Sequence, residues 1–186
     1  MKVNEAAVRA PAACDAAGDI RARARECYAD RRYAECIDLL IEARERCPRD
    51  AALHASLGAA YHADGRVREA LDVLRRAVTL DDTCAFAHDN LAVVLSATGH
   101  FADALEHHER ALALDPQSAR ARANYGLTLE AAGNAGAAET ELRRALALDD
   151  GIAAAHSALG RFHFAREDHE SAEESFLYAL DPRPAS

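Results

Sequence analysis

One spacing constrains this 186-residue chain more than anything in its composition. The strings Leu57-Gly58-Ala59-Ala60-Tyr61, Leu91-Ala92-Val93-Val94-Leu95, Tyr125-Gly126-Leu127-Thr128-Leu129 and Leu159-Gly160-Arg161-Phe162-His163 begin 34 residues apart. Leu80-Asp81-Asp82, Leu114-Asp115-Pro116 and Leu148-Asp149-Asp150 keep the same step. A fixed period of this length marks a stack of supersecondary units, each burying its apolar face only against its neighbours. Counting in 34s gives five units, 17–50, 51–84, 85–118, 119–152 and 153–186, preceded by residues 1–16 as a tail or partial helix.

Three positions in the unit are small. The eighth reads Ala24, Gly58, Ala92, Gly126, Gly160; the twentieth Cys36, Ala70, Ala104, Ala138, Ala172; the twenty-seventh Ala43, Ala77, Ala111, Ala145, Ala179. Fourteen of these fifteen are Ala or Gly, against 55 of 186 in the whole chain, so composition does not explain them. Small side chains there let two antiparallel helices, and the first helix of the next unit, approach closely. Leu57, Leu91, Tyr125 and Leu159 fill the seam from the first helix of each hairpin, and Leu40, Leu74, Leu142 and Phe176 from the second. Such i, i+3, i+4, i+7 spacings give each helix one apolar stripe. Gly65, Gly99 and Gly133 stand where a left-handed residue closes the first helix. Asp-Asp or Asp-Pro near the unit's end stops the second. Each unit therefore reads as helix, tight turn, helix.

This pattern resembles the tetratricopeptide repeat family, a helical hairpin with small residues at those three positions and Pro near the thirty-second. The resemblance covers residues 17–186. Departures are His54, His88 and His156 at the fourth position, where the family often has Trp, and Pro surviving at the unit end only as Pro48 and Pro116. Unit one has Arg23 and Arg44 at seam positions, as suits a solvated terminal unit, and Pro182 arrives early in unit five. The resemblance implies an all-α fold, a right-handed superhelical solenoid of antiparallel helix hairpins, with the first helices lining a concave groove that takes an extended peptide or a partner's helix.

In the family's register the groove residues are Arg21, Arg25 and Tyr28; Ser56 and His62; Phe86, Asp89, Asn90, Val93 and Ser96; Arg120, Asn124, Leu127 and Glu130; Ser157, Arg161 and Phe164. Asn90 and Asn124 share the sixth position of adjacent units. A side-chain amide both donates and accepts, so it can pair with a peptide backbone whatever its sequence. The pair is similar to the asparagine ladder in the repeat arm of O-linked N-acetylglucosamine transferases, with two rungs and with Ser56 and Ala158 where neighbouring rungs would stand. A clamp for a terminal carboxylate, which some family members build from Lys, Asn and Arg of three consecutive repeats, is not reproduced in this register.

Charge and chemistry narrow the function further. With 22 Lys plus Arg against 31 Asp plus Glu, a net charge of -9 argues against binding a nucleic-acid backbone or an anionic membrane surface. No apolar run of signal-peptide or membrane-span length is present, and the odd set Cys14, Cys27, Cys36, Cys47 and Cys84 has no CxxC pair, so the expectation is small buried thiols in a soluble cytoplasmic protein. Among nine histidines no HExxH or third-ligand spacing appears, and no phosphate loop, nucleophile elbow or carboxylate pair stands out. The reading is a cofactor-free, metal-free, non-catalytic adaptor for a protein or peptide ligand. The alternative is a self-assembling scaffold, a homo-oligomer built through the uncapped last helix, Ser175-Phe176-Leu177-Tyr178-Ala179-Leu180.

Overall fold

Alanine, the strongest helix former, and a scarcity of β-branched runs leave little alternative to helix between the turn signals. The computed structural model describes residues 18–181, and among them are ten helices and no strand. They are α1 (Gly18–Ala29), α2 (Tyr33–Arg46), α3 (Ala51–Ala63), α4 (Val67–Leu80), α5 (Ala85–Ala97), α6 (Phe101–Leu114), α7 (Ala119–Ala131), α8 (Ala135–Leu148), α9 (Ala153–Ala165) and α10 (His169–Leu180). From α2 onward, helices two apart in the order start 34 residues apart. Segment 1–16 and Pro182, read above as a tail and an early stop, lie outside the described residues.

The turns inside the hairpins use left-handed backbone. Gly65, Gly99 and Gly133 have φ of 80, 80 and 84°, and the chain reverses through Arg66 N–H donating to the Tyr61 carbonyl, with His100 to Leu95 and Asn134 to Leu129 alike. Units one and five adopt the same conformation without glycine, at Arg31 (φ 60°) and Glu167 (φ 63°). A side chain there costs about 1–2 kcal/mol, which the flanking hairpins sustain. The turns between hairpins are closed differently. The carboxylates of Asp81, Asp115 and Asp149 each accept the N–H two residues on, at Thr83 (2.9 Å), Gln117 (3.2 Å) and Gly151 (3.0 Å). The repeated histidines then fasten the next helix: the His88 and His156 rings donate through Nε2 to the carbonyls of Asp82 (3.1 Å) and Asp150 (2.9 Å), and His54 through Nδ1 to that of Asp50 (2.9 Å). A ring that donates to a turn carbonyl replaces the bulk of the family's Trp with a directed bond.

The chain divides into two compact units, 1–94 and 95–186, with the division inside α5. In the first, the α1–α2 hairpin packs through α2 on α3, and α3 pairs with α4. Ile37, Leu40, Leu53, Leu57 and Leu74 are buried there with Ala43, Ala70 and Ala77. Gly58 is required by contact: a Cβ would fall 2.4 Å from Leu74 Cγ. Cys27 and Cys36 are buried free thiols, and burial pushes both upward, Cys36 to about 11, so they are protonated core atoms at neutral pH. Cys84 is also free, whereas Cys47 is disulfide-bonded, which corrects the expectation that all the cysteines are thiols.

In the second unit α6 packs on α7, α7 pairs with α8, and α9 lies against both α7 and α8 before pairing with α10. Its core joins Ala123, Leu142, Ala145, Ala155, Ala158 and Leu159, flanked by Leu127, Leu146, Ile152 and Phe162. His108 is buried in this packing, with Nε2 3.0 Å from the Thr128 hydroxyl. The carboxylate of Glu139 takes two bonds from Arg166 (2.7 and 2.5 Å) and one from Arg143 (2.6 Å), joining α8 to the end of α9. These donors hold Glu139 down at about 2 despite its burial, the Arg166 fork contributing most.

Candidate ligand-binding face of the first helices

The groove residues expected from the sequence all fall on first helices of hairpins: Arg21, Arg25 and Tyr28 on α1, His62 on α3, Phe86, Asp89, Asn90 and Val93 on α5, Arg120, Asn124, Leu127 and Glu130 on α7, and Arg161 and Phe164 on α9. Their surroundings sort them into open and committed groups.

Within the first unit, Arg25, Tyr28 and Phe86 are exposed, and the Tyr28 ring meets Tyr33 edge-on at 5.5 Å. Arg21 is half-buried and pairs with Asp50, the residue that caps α3 by accepting the Leu53 N–H at 2.9 Å. It is a strut between hairpins rather than a loose cation. His62 and Val93 are half-buried, and burial pushes the His62 imidazole below its ordinary range, so it is neutral at pH 7. Asp89 requires a correction: it is only 1% exposed, not an anion on an open wall. Ala55 and Ala123, at the same fifth position of their units, are buried too, whereas Arg21 and Ser157 there are half-buried. Asn90 is 8% exposed and donates Nδ2 to the Phe86 carbonyl at 2.8 Å, one turn back on its own helix. That bond takes one of the two amide protons a ladder rung would offer.

Within the second unit, Arg120 is exposed and Asn124 and Leu127 are half-buried, Leu127 lying against the core cluster. Glu130 and Arg161, expected as separate groove charges, form one fork-to-fork pair through Nε (3.0 Å) and Nη2 (2.7 Å). Phe164 is 62% exposed, its ring 5.6 Å from that of His169. In each unit the first helices therefore offer aromatic surface, and several of their charges are already committed. Among the described residues no group of three His, Cys, Asp or Glu could hold a metal ion, and no helix is long and apolar enough to cross a membrane. The sequence reading missed the Glu139–Arg166 lock. Its partners stand 27 residues apart, off the repeat period, and only the folded second unit brings them together.

Paired helices in strict register, small residues at the seams and exposed aromatics on the first helices define a helical-repeat interaction module. The chain belongs to the tetratricopeptide repeat family: two models, each described as tetratricopeptide repeat, match residues 52–117 and 95–161, together more than half its length. Proteins of this family are generally non-catalytic modules of protein–protein interaction. No curated protein sequence matches the chain. A thermophilic TPR protein of Thermus thermophilus is similar in structure, with a TM-score of 0.81 at 23% identity, covering 91% of this chain and 93% of that one. PilF of Pseudomonas aeruginosa gives 0.76 at 16% identity, covering 94% and 80%. MamA of Desulfovibrio magneticus RS-1, from residue 41 to its end, gives 0.65 at 22% identity, covering 89% and 93%. At these identities the likeness establishes the fold.

Proposed function

We propose that this chain is a non-catalytic adaptor that binds an extended peptide or a partner helix on the exposed faces of its first helices. The observation that carries this is the placement of its exposed aromatics. Tyr28, Phe86 and Phe164 are large apolar side chains left open to solvent, and each lies on a first helix at a position the family register gives to the groove. Aromatic rings in such places contribute much contact area at little entropic cost and dominate interfaces when covered. Asn90 and Asn124 then act as secondary contacts, since the Asn90 amide is already bonded to its own helix.

The test is affinity capture from native lysate by the whole chain, with wild type beside Tyr28→Ala/Phe86→Ala/Phe164→Ala and beside Asn90→Ala/Asn124→Ala. The expected result is a partner held by wild type, lost by the aromatic triple variant and weakened by the asparagine double. A partner held equally by all three overturns the reading.

A further inference from the structure

The last described helix exposes positions that the repeat elsewhere covers. At the twenty-fourth position of the unit, Leu40, Leu74, His108 and Leu142 are buried, whereas Phe176 is 37% exposed. At the twenty-seventh, Ala43, Ala77, Ala111 and Ala145 are buried, whereas Ala179 is only half-buried. At the twenty-eighth, Leu112 and Leu146 are half-buried, whereas Leu180 is 83% exposed. Next to these Leu177 stands open, at a position where α8 carries Arg143 and α6 carries Glu109. Among the described residues nothing lies across this face.

The second unit also shows what shape of element fits it. The corresponding face of α8, Leu142, Ala145 and Leu146, is covered by α9 through Ala155, Ala158 and Leu159. The complement is thus a helix bearing an Ala-x-x-Ala-Leu stripe. Charge decides what flanks the stripe. Residues 167–181 contain six carboxylates and no Lys or Arg, and Glu170, Glu173, Glu174 and Asp181 are all exposed on or just beyond α10. Two copies of α10 laid together would set these carboxylates against each other, which disfavours a symmetric pair.

We propose that the open face of α10, made of Phe176, Leu177 and Leu180 with Glu173 one turn back on the same stripe and Glu170 and Glu174 beside it, is a docking site for a basic amphipathic helix of a partner protein. The apolar residues supply the burial that α9 gives α8, and the carboxylates on and beside the stripe select Lys or Arg, as Glu139 on α8 takes Arg166. This proposal does not depend on the groove reading.

The probe is a synthetic peptide of the α9 sequence, Ala153–Ala165, with Ala154→Lys, Ser157→Lys and Phe164→Lys, which keeps the Ala-x-x-Ala-Leu stripe and Arg161. Its counterpart carries glutamate at those three positions and Arg161→Glu. Titrated against the whole chain, the lysine peptide should bind saturably and lose affinity as salt rises. Leu180→Glu should weaken it by about tenfold or more without shifting the melting temperature, because Leu180 is open in the folded chain. Glu173→Lys/Glu174→Lys should reverse the preference toward the glutamate peptide. No saturable binding, equal binding of both peptides, or binding indifferent to Leu180→Glu overturns the proposal. So does a concentration-dependent dimer that Leu180→Glu abolishes, since a second copy would then own the face.

Discussion

The fourth and fifth hairpins carry the same repeat at the same positions, yet one is closed and the other half-open. In α7–α8, Leu142 and Ala145 reach no solvent, because α9 lies across them. In α9–α10, Phe176 and Ala179 hold the equivalent positions and remain partly exposed. The side chains are at least as apolar in the open hairpin. What differs is the neighbour, so burial in a repeat array belongs to the interface between units as much as to the residue.

Truncation offers the largest way to break this comparison. Leu142→Ala should cost about 2–5 kcal/mol, the range for emptying a closed apolar site. Phe176→Ala removes a bigger side chain but should cost less, about 1–2 kcal/mol, since part of its surface is already in water. Denaturant unfolding of both variants measures the difference. If Phe176→Ala proved the more damaging, the fifth hairpin would be as closed as the fourth.

The second contrast concerns glycine. At Gly126 a Cβ would sit 2.8 Å from Leu142 Cγ and 3.3 Å from the Ala138 carbonyl oxygen, and the buried Leu142 has nowhere to go. At Gly160 the obstacle is the Phe176 ring, 2.7 Å away, which is partly open and can swing outward. Gly126→Ala should therefore destabilise by about 1–3 kcal/mol and Gly160→Ala by less than about 1 kcal/mol. Thermal melts of the two variants decide it, and equal losses would mean that Phe176 is as fixed as Leu142.

Much of this is legible in the residues alone. The 34-residue step and the small residues at Ala24, Gly58 and Ala92 locate each hairpin, because close helix approach leaves a mark at every repeat. Gly65, Gly99 and Gly133 mark the turns for the same reason. Arg31 and Glu167 cannot be read so, since a non-glycine residue gives no sign that its backbone will be left-handed. The binding face is legible by position and obscure by state. Phe86 and Asp89 are three residues apart on one helix, but one is exposed and the other buried, and that depends on how tightly α5 is surrounded. Pairs such as Arg21–Asp50 and Glu130–Arg161 join residues 29 and 31 apart, also off the repeat step, and which charges meet depends on rotamers that a register does not contain.

The two arginine forks on the α9 hairpin sharpen the comparison at its smallest scale. Arg166 binds Glu139, whose carboxylate is buried, and Arg161 binds Glu130, whose carboxylate is more open. Glu139 is held at about 2, below its ordinary 4.5. Its contribution is therefore complete above the ordinary value and is lost as the pH falls through the folded one. Both arginines are more than half exposed, which screens the gain to about 1–2 kcal/mol. Glu139→Gln should lower stability by that amount near neutral pH and flatten the acid-side decline between about pH 4.5 and pH 2, measured by chemical denaturation across the range. Arg161→Ala should cost less than about 0.5 kcal/mol, because a pair open to water exchanges its bonds for hydration. Were Arg161→Ala to match Glu139→Gln, the Glu130 carboxylate would be as enclosed in solution as Glu139, and the first-helix face around Phe164 would be closed rather than open to a ligand.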